Sequence, residues 1–214
     1  MIKIDFTEVF GWRAAIRGMR NAMNSWLKSD STFALIETEE GKYIPDIGKN
    51  DLDLMKRLVN AGSDHSKFMR MIIVSCDITA PLYWWKEYDT YKVGTVANSC
   101  STMHKIHSKE FTLGDFSHEK LSEKSKNLLG ATIKGLNANR TDYNETKDKD
   151  HWWQMIQLLP TSYNQKRTVM LNYAVLRNMY HARKFHKLDE WVTFCRWVET
   201  LPYSELITMR GETI

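Results

Sequence analysis

At 214 residues, with 43% hydrophobic and 12% aromatic side chains, the chain can bury a sizeable core, which excludes a disordered protein and favours a single domain, residues 1–214. Thirty basic residues interleaved with 26 acidic ones leave a formal charge of +4, and without a basic run or stripe this argues against nucleic acid and suits small anionic ligands. Three scattered cysteines, Cys76, Cys100 and Cys195, make no disulfide framework. No window approaches the roughly 20 apolar residues of a membrane span, and the first residues lack an apolar signal core, so a soluble cytoplasmic protein is expected.

Trp12, Ile16, Met19, Met23 and Trp26 recur at spacings of three and four, predicting an amphipathic helix over residues 9–28. Phe33 to Thr38 reads as a short strand, with Glu39 to Tyr43 as its turn. Asn50 is a candidate cap for a helix burying Leu52, Met55, Leu58 and Val59, with Gly62 just past its end. The continuous apolar run Phe68–Ile78 predicts a buried strand, and Pro81 suits the first turn of a helix through about Tyr91.

After Gly94 the chain turns to small polar residues, Asn98, Ser99, Ser101 and Thr102, which leave room for a ligand and carry groups that bind one. Ser117 is a candidate cap for a helix with Leu121, Leu128, Leu129, Ile133 and Leu136. Residues 137–150 are polar, a mobile excursion or a helix end. Trp152, Trp153, Ile156, Leu158 and Leu159 predict a short helix stopped by Pro160. Residues 169–197 read as helical with a break near His186, and Pro202 ends them. Helices with a few strands in irregular alternation suggest an α+β fold.

Ser66 and Arg70 could face a ligand from a strand entrance, where a turn and an edge residue are the plainer reading. Cys100, His104 and His107 have metal-ligand spacing but no fourth ligand, so no metal is expected. Adjacent tryptophans on a helix diverge, so at most one each of Trp84–Trp85 and Trp152–Trp153 could stack on a ring, and core is favoured. Asn172 and Arg183 lie eleven residues, about three turns, apart on nearly one helix face. An amide there can pair a ring edge while a guanidinium grips a phosphate; a solvated salt bridge is the plainer alternative.

In order, these pieces resemble the flavin-dependent thymidylate synthases. Ser66-Lys-Phe68-Met-Arg70 resembles the family's Ser-x-Phe-Glu-His. Asn98-Ser-Cys-Ser101-Thr-Met-His104 resembles the Asn-Glu-x-Ser-x-Arg-Tyr end of its second motif. Leu159-Pro160, Tyr163, Asn172 and Arg183 keep the order and spacing of its third. In register, the family's Arg-His-Arg falls on Tyr91-Lys92-Val93, its motif Glu and Arg on Ser99 and Met103, and a later Arg on Ala174.

The resemblance implies an antiparallel sheet flanked by helices, assembled as a homotetramer. It implies a methyltransferase of thymidylate synthase type, moving a one-carbon unit from methylenetetrahydrofolate to C5 of dUMP, with bound FAD and with NADPH as reductant. Arg183 would grip the nucleotide phosphate, and Ser99 and Ser101 would lie by the pyrimidine. Ser66, Arg70, Lys92, Asn98 and Asn172 would line the flavin side. The departures at Tyr91–Val93, Ser99 and Met103 leave two alternatives, a non-catalytic nucleotide-binding homologue and an enzyme acting on another pyrimidine nucleotide.

Overall fold

The computed structural model describes residues 2–39, 41 and 43–210. The chain runs through β1 (Lys3–Phe10), α1 (Trp12–Arg20), β2 (Leu35–Glu37), β3 (Tyr43–Pro45), α2 (Lys49–Asn60), β4 (Ile73–Pro81), α3 (Leu82–Tyr88) and β5 (Val96–Ser99). It continues through α4 (Glu123–Thr146), α5 (Lys149–Leu158), β6 (Asn164–Asn172), α6 (Tyr173–Arg183), α7 (Asp189–Glu199) and α8 (Glu205–Thr208). Four strands form one sheet in the order β1-β4-β6-β5, and β2 pairs antiparallel with β3, Ile36 opposite Ile44. The fold is α+β, an antiparallel sheet flanked by helices, as expected. No helix among the described residues is long and apolar enough to cross a membrane.

Several boundaries differ from the sequence expectation, each for a local reason. The first helix starts at Trp12 because β1 runs to Phe10 and turns at Gly11, whose φ of 95° suits glycine. A Cβ there would lie 2.0 Å from the Met71 carbonyl oxygen. The helix stops at Arg20, whose side chain turns inward, and Met23 and Trp26 are left exposed despite their spacing. The expected strand from Phe68 begins only at Ile73: Lys67–Met71 is a 3₁₀ turn, closed by Met69 N–H donating to Ser66 O. Phe68 and Met69 are both buried, which a strand, with successive side chains on opposite faces, does not allow on one face. β4 then alternates cleanly, burying Val74, Cys76, Ile78 and Ala80.

Later in the chain, α2 is capped from a distance. The Asp30 carboxylate accepts the N–H groups of Asn50 and Asp51, the work expected of Asn50. Ser122, not Ser117, caps α4. The polar stretch 137–150 holds the last turns of α4, a left-handed residue at Lys147 and the start of α5, which Asp148 caps. The segment read as helical from Val169 is strand to Asn172, because Gln165, Val169 and Leu171 are buried while Lys166, Thr168 and Met170 face out. The break near His186 falls between α6 and α7.

The chain groups into two compact units, Met1–Asp5 with Asp77–Thr90 and Ala97–Thr168, and Phe6–Cys76 with Tyr91–Val96 and Val169–Ile214. In the first, α4 packs on α5 around Phe111, Phe116, Leu129, Leu136 and Met155. Asn137 ties this core to the loop before α4, exchanging hydrogen bonds with both backbone groups of Phe111 (2.9 and 2.8 Å). In the second, α6 packs against α7 and α8, burying Leu176, Met179, Phe194 and Leu206.

Candidate ligand-binding site

In the second unit the C-terminal end of α2, the turn through Arg70 and the first turn of α6 enclose a cleft of about 330 Å³, lined by Asn60, Ser63, Ser66, Arg70, Ala174 and Arg177. The Ser66 hydroxyl donates to Gly62 O at 3.0 Å, so it holds the turn, while its lone pairs remain able to accept. Arg70 is exposed at the rim and its guanidinium makes no hydrogen bond within the described residues. Arg177 donates to the carbonyl oxygens of Leu206 (3.3 Å), Ile207 (3.1 Å) and Met209, fixing the end of α8. Burial lowers its pKa. The enclosed Oδ1 of Asn60 has no hydrogen-bond partner among the described residues. Two guanidiniums and a hydroxyl suit an anion, and the Asn60 oxygen adds an acceptor for an N–H or O–H.

The same unit holds Lys92, Asn172 and Arg183. Asn172 is buried and caps α6, its Oδ1 accepting Val175 N–H at 3.0 Å. The Tyr91–Thr95 loop crosses this cap at Gly94, where a Cβ would meet Asn172 Nδ2 at 2.9 Å and Val175 Cγ2 at 3.1 Å, with φ at 78°. Gly94→Ala is therefore expected to destabilise the protein by about 1–2 kcal/mol, the cost of a left-handed non-glycine residue, read as a lower denaturation midpoint. Lys92 is exposed. Arg183, the last residue of α6, donates from Nε to the Tyr91 hydroxyl at 2.9 Å and lies over the Trp191 and Tyr91 rings at 5.0 and 5.6 Å. Its guanidinium is thus held by aromatic neighbours at a fixed place.

In the first unit Asn98 and Ser99 lie exposed on β5. Ser101 Oγ accepts the N–H groups of Met103 (3.2 Å) and His104 (2.8 Å), so the hydroxyl expected beside a pyrimidine also shapes its own turn. β6 anchors the segment: Cys100 N–H donates to Lys166 O at 2.9 Å and Gln165 Nε2 to Cys100 O at 2.7 Å.

Cys100, His104 and His107 do not share a helix face, since Cys100 lies just past the end of β5 and His107 packs on Tyr143. Among the described residues no group of three His, Cys, Asp or Glu is placed to hold a metal. Trp84 and Trp85 are both fully buried, so neither offers a face to a ligand; Trp152 and Trp153 are partly exposed. Burial pushes the Cys195 thiol up to about 11, leaving it inert at neutral pH.

Sequence reasoning passed over Asn60 and Arg177, which join the cleft only through the approach of α2 to α6. It also passed over the charged outward face of β6. There Lys166 pairs with Asp77 at 2.6 Å and Thr168 donates to the same carboxylate. The hydrogen bonds from Lys166 and Thr168 lower the Asp77 pKa. The alternation Lys166, Thr168 was the one available signal.

No protein-family model matches the chain, and no curated protein sequence does. Its fold is that of the flavin-dependent thymidylate synthases. Two structures of the Helicobacter pylori flavin-dependent thymidylate synthase ThyX, both with FAD and dUMP, superpose with TM-scores of 0.67 and 0.68 at 15% and 16% identity. They cover 95% and 96% of this chain, and 96% of the matched chain in each case. A UMP/dUMP methylase, PolB from Streptomyces cacaoi, bound with 5-Br dUMP, is similar at TM-score 0.63 and 11% identity, over 99% of this chain and 96% of that one.

Proposed function

We propose that the chain acts as one domain of flavin-dependent thymidylate synthase type. It binds FAD and a pyrimidine nucleotide and transfers a one-carbon unit from methylenetetrahydrofolate to C5 of dUMP, with NADPH as reductant, as a cytoplasmic homotetramer. The observation that carries this reading is the cleft at Arg70, where an uncommitted guanidinium, the Ser66 hydroxyl and the bare Asn60 oxygen converge within this fold. That donor set fits the anionic and polar parts of a flavin nucleotide. When bound, the flavin would carry the redox and one-carbon chemistry.

The chain's own residues would bind and orient. Ser66 and Arg70 would hold the flavin side, with Asn98, Asn172 and Lys92. Ser99 and Ser101 would lie against the pyrimidine, and Arg183, preset by Tyr91 and Trp191, would take the phosphate. Fluorescence titration should show FAD uptake by the wild type and roughly tenfold weaker uptake by Arg70→Gln, the worth of one charge-assisted hydrogen bond. A colourless protein that leaves flavin fluorescence unchanged would overturn the proposal.

A second reading has its own support. Tyr91, where the family has the first arginine of Arg-His-Arg, spends its hydroxyl on Arg183, and Val93 is exposed. Together with the methylase activity on UMP named for the Streptomyces neighbour, this favours testing a non-catalytic homologue and another pyrimidine substrate. Mass spectrometry of products from dUMP, UMP and dCMP separates the three: methylated dUMP, another methylated nucleotide, or none.

A further inference from the structure

In the first unit a cleft of about 300 Å³ is lined by His104, Tyr143, Lys147, Lys149 and Trp152. Its walls come from two places in the chain. The turn shaped by Ser101 presents His104, and the α4–α5 corner presents the rest. Trp152 Nε1 donates to Met103 O at 3.0 Å and Asn144 Nδ2 to His107 O at 3.3 Å, pinning the two together. Lys147 Nζ lies 5.5 Å from the Tyr143 ring centre and Lys149 Nζ 5.9 Å from that of Trp153.

Several cations here are left without an ion pair: Lys105, Arg140, Lys147 and Lys149 have no carboxylate within ion-pair distance among the described residues. Of the four acids in the stretch 142–150, Asp148 caps α5, Asp142 faces His151 at 3.8 Å, and neither Glu145 nor Asp150 makes an ion pair among the described residues. His107 stands edge-on to Tyr143 at 4.8 Å, and its Nδ1 and the Nε of Arg140 are enclosed without a hydrogen-bond partner among the described residues. Burial, then the charges of Lys147, Lys105 and Arg140, push the His107 pKa down. Like charges gathered beside aromatic walls are unfavourable unless an anion joins them.

We propose that this cleft binds a phosphate-bearing anion, with Lys147 and Lys149 as its ion-pair partners and Tyr143 and Trp152 as its walls. It shares no residue with the flavin and nucleotide site proposed above, and that reading can fail without this one. The ligand is either free phosphate or diphosphate, or the phosphate end of a nucleotide reaching past the Ser101 turn.

The test titrates inorganic pyrophosphate, and separately dUMP, into the wild type and into a Lys147→Asn/Lys149→Gln variant. Both lysines are exposed, and asparagine tolerates the left-handed backbone of Lys147 (φ 61°). Pyrophosphate should raise the melting temperature and shift the His107 Cε1–H resonance of the wild type, with roughly tenfold or greater weakening in the variant. A parallel loss of dUMP affinity identifies the nucleotide as the source of the phosphate; unchanged dUMP affinity identifies the free anion. No pyrophosphate response, or one equal in both proteins, would overturn the proposal. So would a single-stranded oligonucleotide binding far more tightly than either, with steep salt dependence.

Discussion

Asp51→Ala should lower the stability of the protein by about 3–5 kcal/mol, the scale for removing one partner of a buried ion pair, read as a large fall in urea midpoint at neutral pH. Asp51 is fully buried at the start of α2 and Arg20, at the end of α1, is nearly so; Arg20 Nε donates to Asp51 Oδ1 at 2.6 Å. The other carboxylate oxygen accepts the hydroxyls of Ser29 (2.6 Å) and Ser31 (2.7 Å) and the N–H groups of Asp30 and Ser31 (3.2 Å each). One side chain therefore ends α1, fixes residues 29–31 and, through Asp30, places the cap of α2. Alanine leaves the guanidinium buried with Ser25 alone, its carbonyl at 3.2 Å and its hydroxyl at 3.5 Å, and leaves four donors without the carboxylate oxygen that accepts them. An Arg20→Met/Asp51→Leu double variant removes both charges and should recover a large part of the loss, because the greater penalty lies in the orphaned charge.

The same carboxylate gives a pH dependence with a definite sign. Burial alone would raise its pKa; the hydroxyls of Ser29 and Ser31 and the Arg20 guanidinium outweigh burial, and the folded value lies below the ordinary one. A carboxylate depressed by folding stabilises above its unfolded pKa, about 3.9, and that contribution is lost as pH falls through the lowered folded value. Urea midpoints measured across this acid range should fall steeply for the wild type and more shallowly for Asp51→Asn. Equal slopes would mean that another group dominates.

Most of the elements were legible in the sequence where one period ran uninterrupted. β4 shows this in its alternation of Val74, Cys76, Ile78 and Ala80, and α2 in Met55 and Val59. Legibility failed where a long-range contact overrides the local pattern. The apolar spacing through Met23 and Trp26 continues that of Trp12 and Ile16, yet Arg20 must turn inward to meet Asp51, thirty-one residues away, and the helix ends there. β1 is not legible as a full strand: Ile2, Ile4 and Phe6 alternate with Lys3, Asp5 and Thr7, but Glu8 breaks the alternation and the helical pattern of Trp12 overlaps its end. The candidate site was half legible. Ser66 and Arg70 do line one cleft, but Asn60 and Arg177 reach it by packing alone, and no spacing rule pairs residue 60 with residue 177.

The aromatic opening after Pro81 carries the other large expected effect. Trp85→Ala should cost about 3–5 kcal/mol and Trp85→Phe clearly less, measured as denaturant midpoints. Trp85 is 1% exposed, with Trp84 and Tyr88 edge-on at 4.9 and 5.0 Å, so alanine leaves a large cavity in a packed core. Phenylalanine keeps most of the ring but removes the indole N–H that donates to Gln165 O at 3.0 Å, leaving a buried carbonyl to cost about 1–3 kcal/mol. The ring also seats Arg167, whose guanidinium lies 4.1 Å from its centre while bonding Asp89 at 2.7 Å and Gln165 Oε1 at 2.9 Å. Gln165 in turn holds Cys100 O through Nε2, one residue before the Ser101 turn. A core substitution in α3 thus has a path to the segment proposed to meet the pyrimidine. Amide exchange at Cys100 and His104 should accelerate in Trp85→Ala well beyond exchange in the α4–α5 core. If all these amides accelerate equally, the ring stabilises the unit as a whole and has no special bearing on the Ser101 turn.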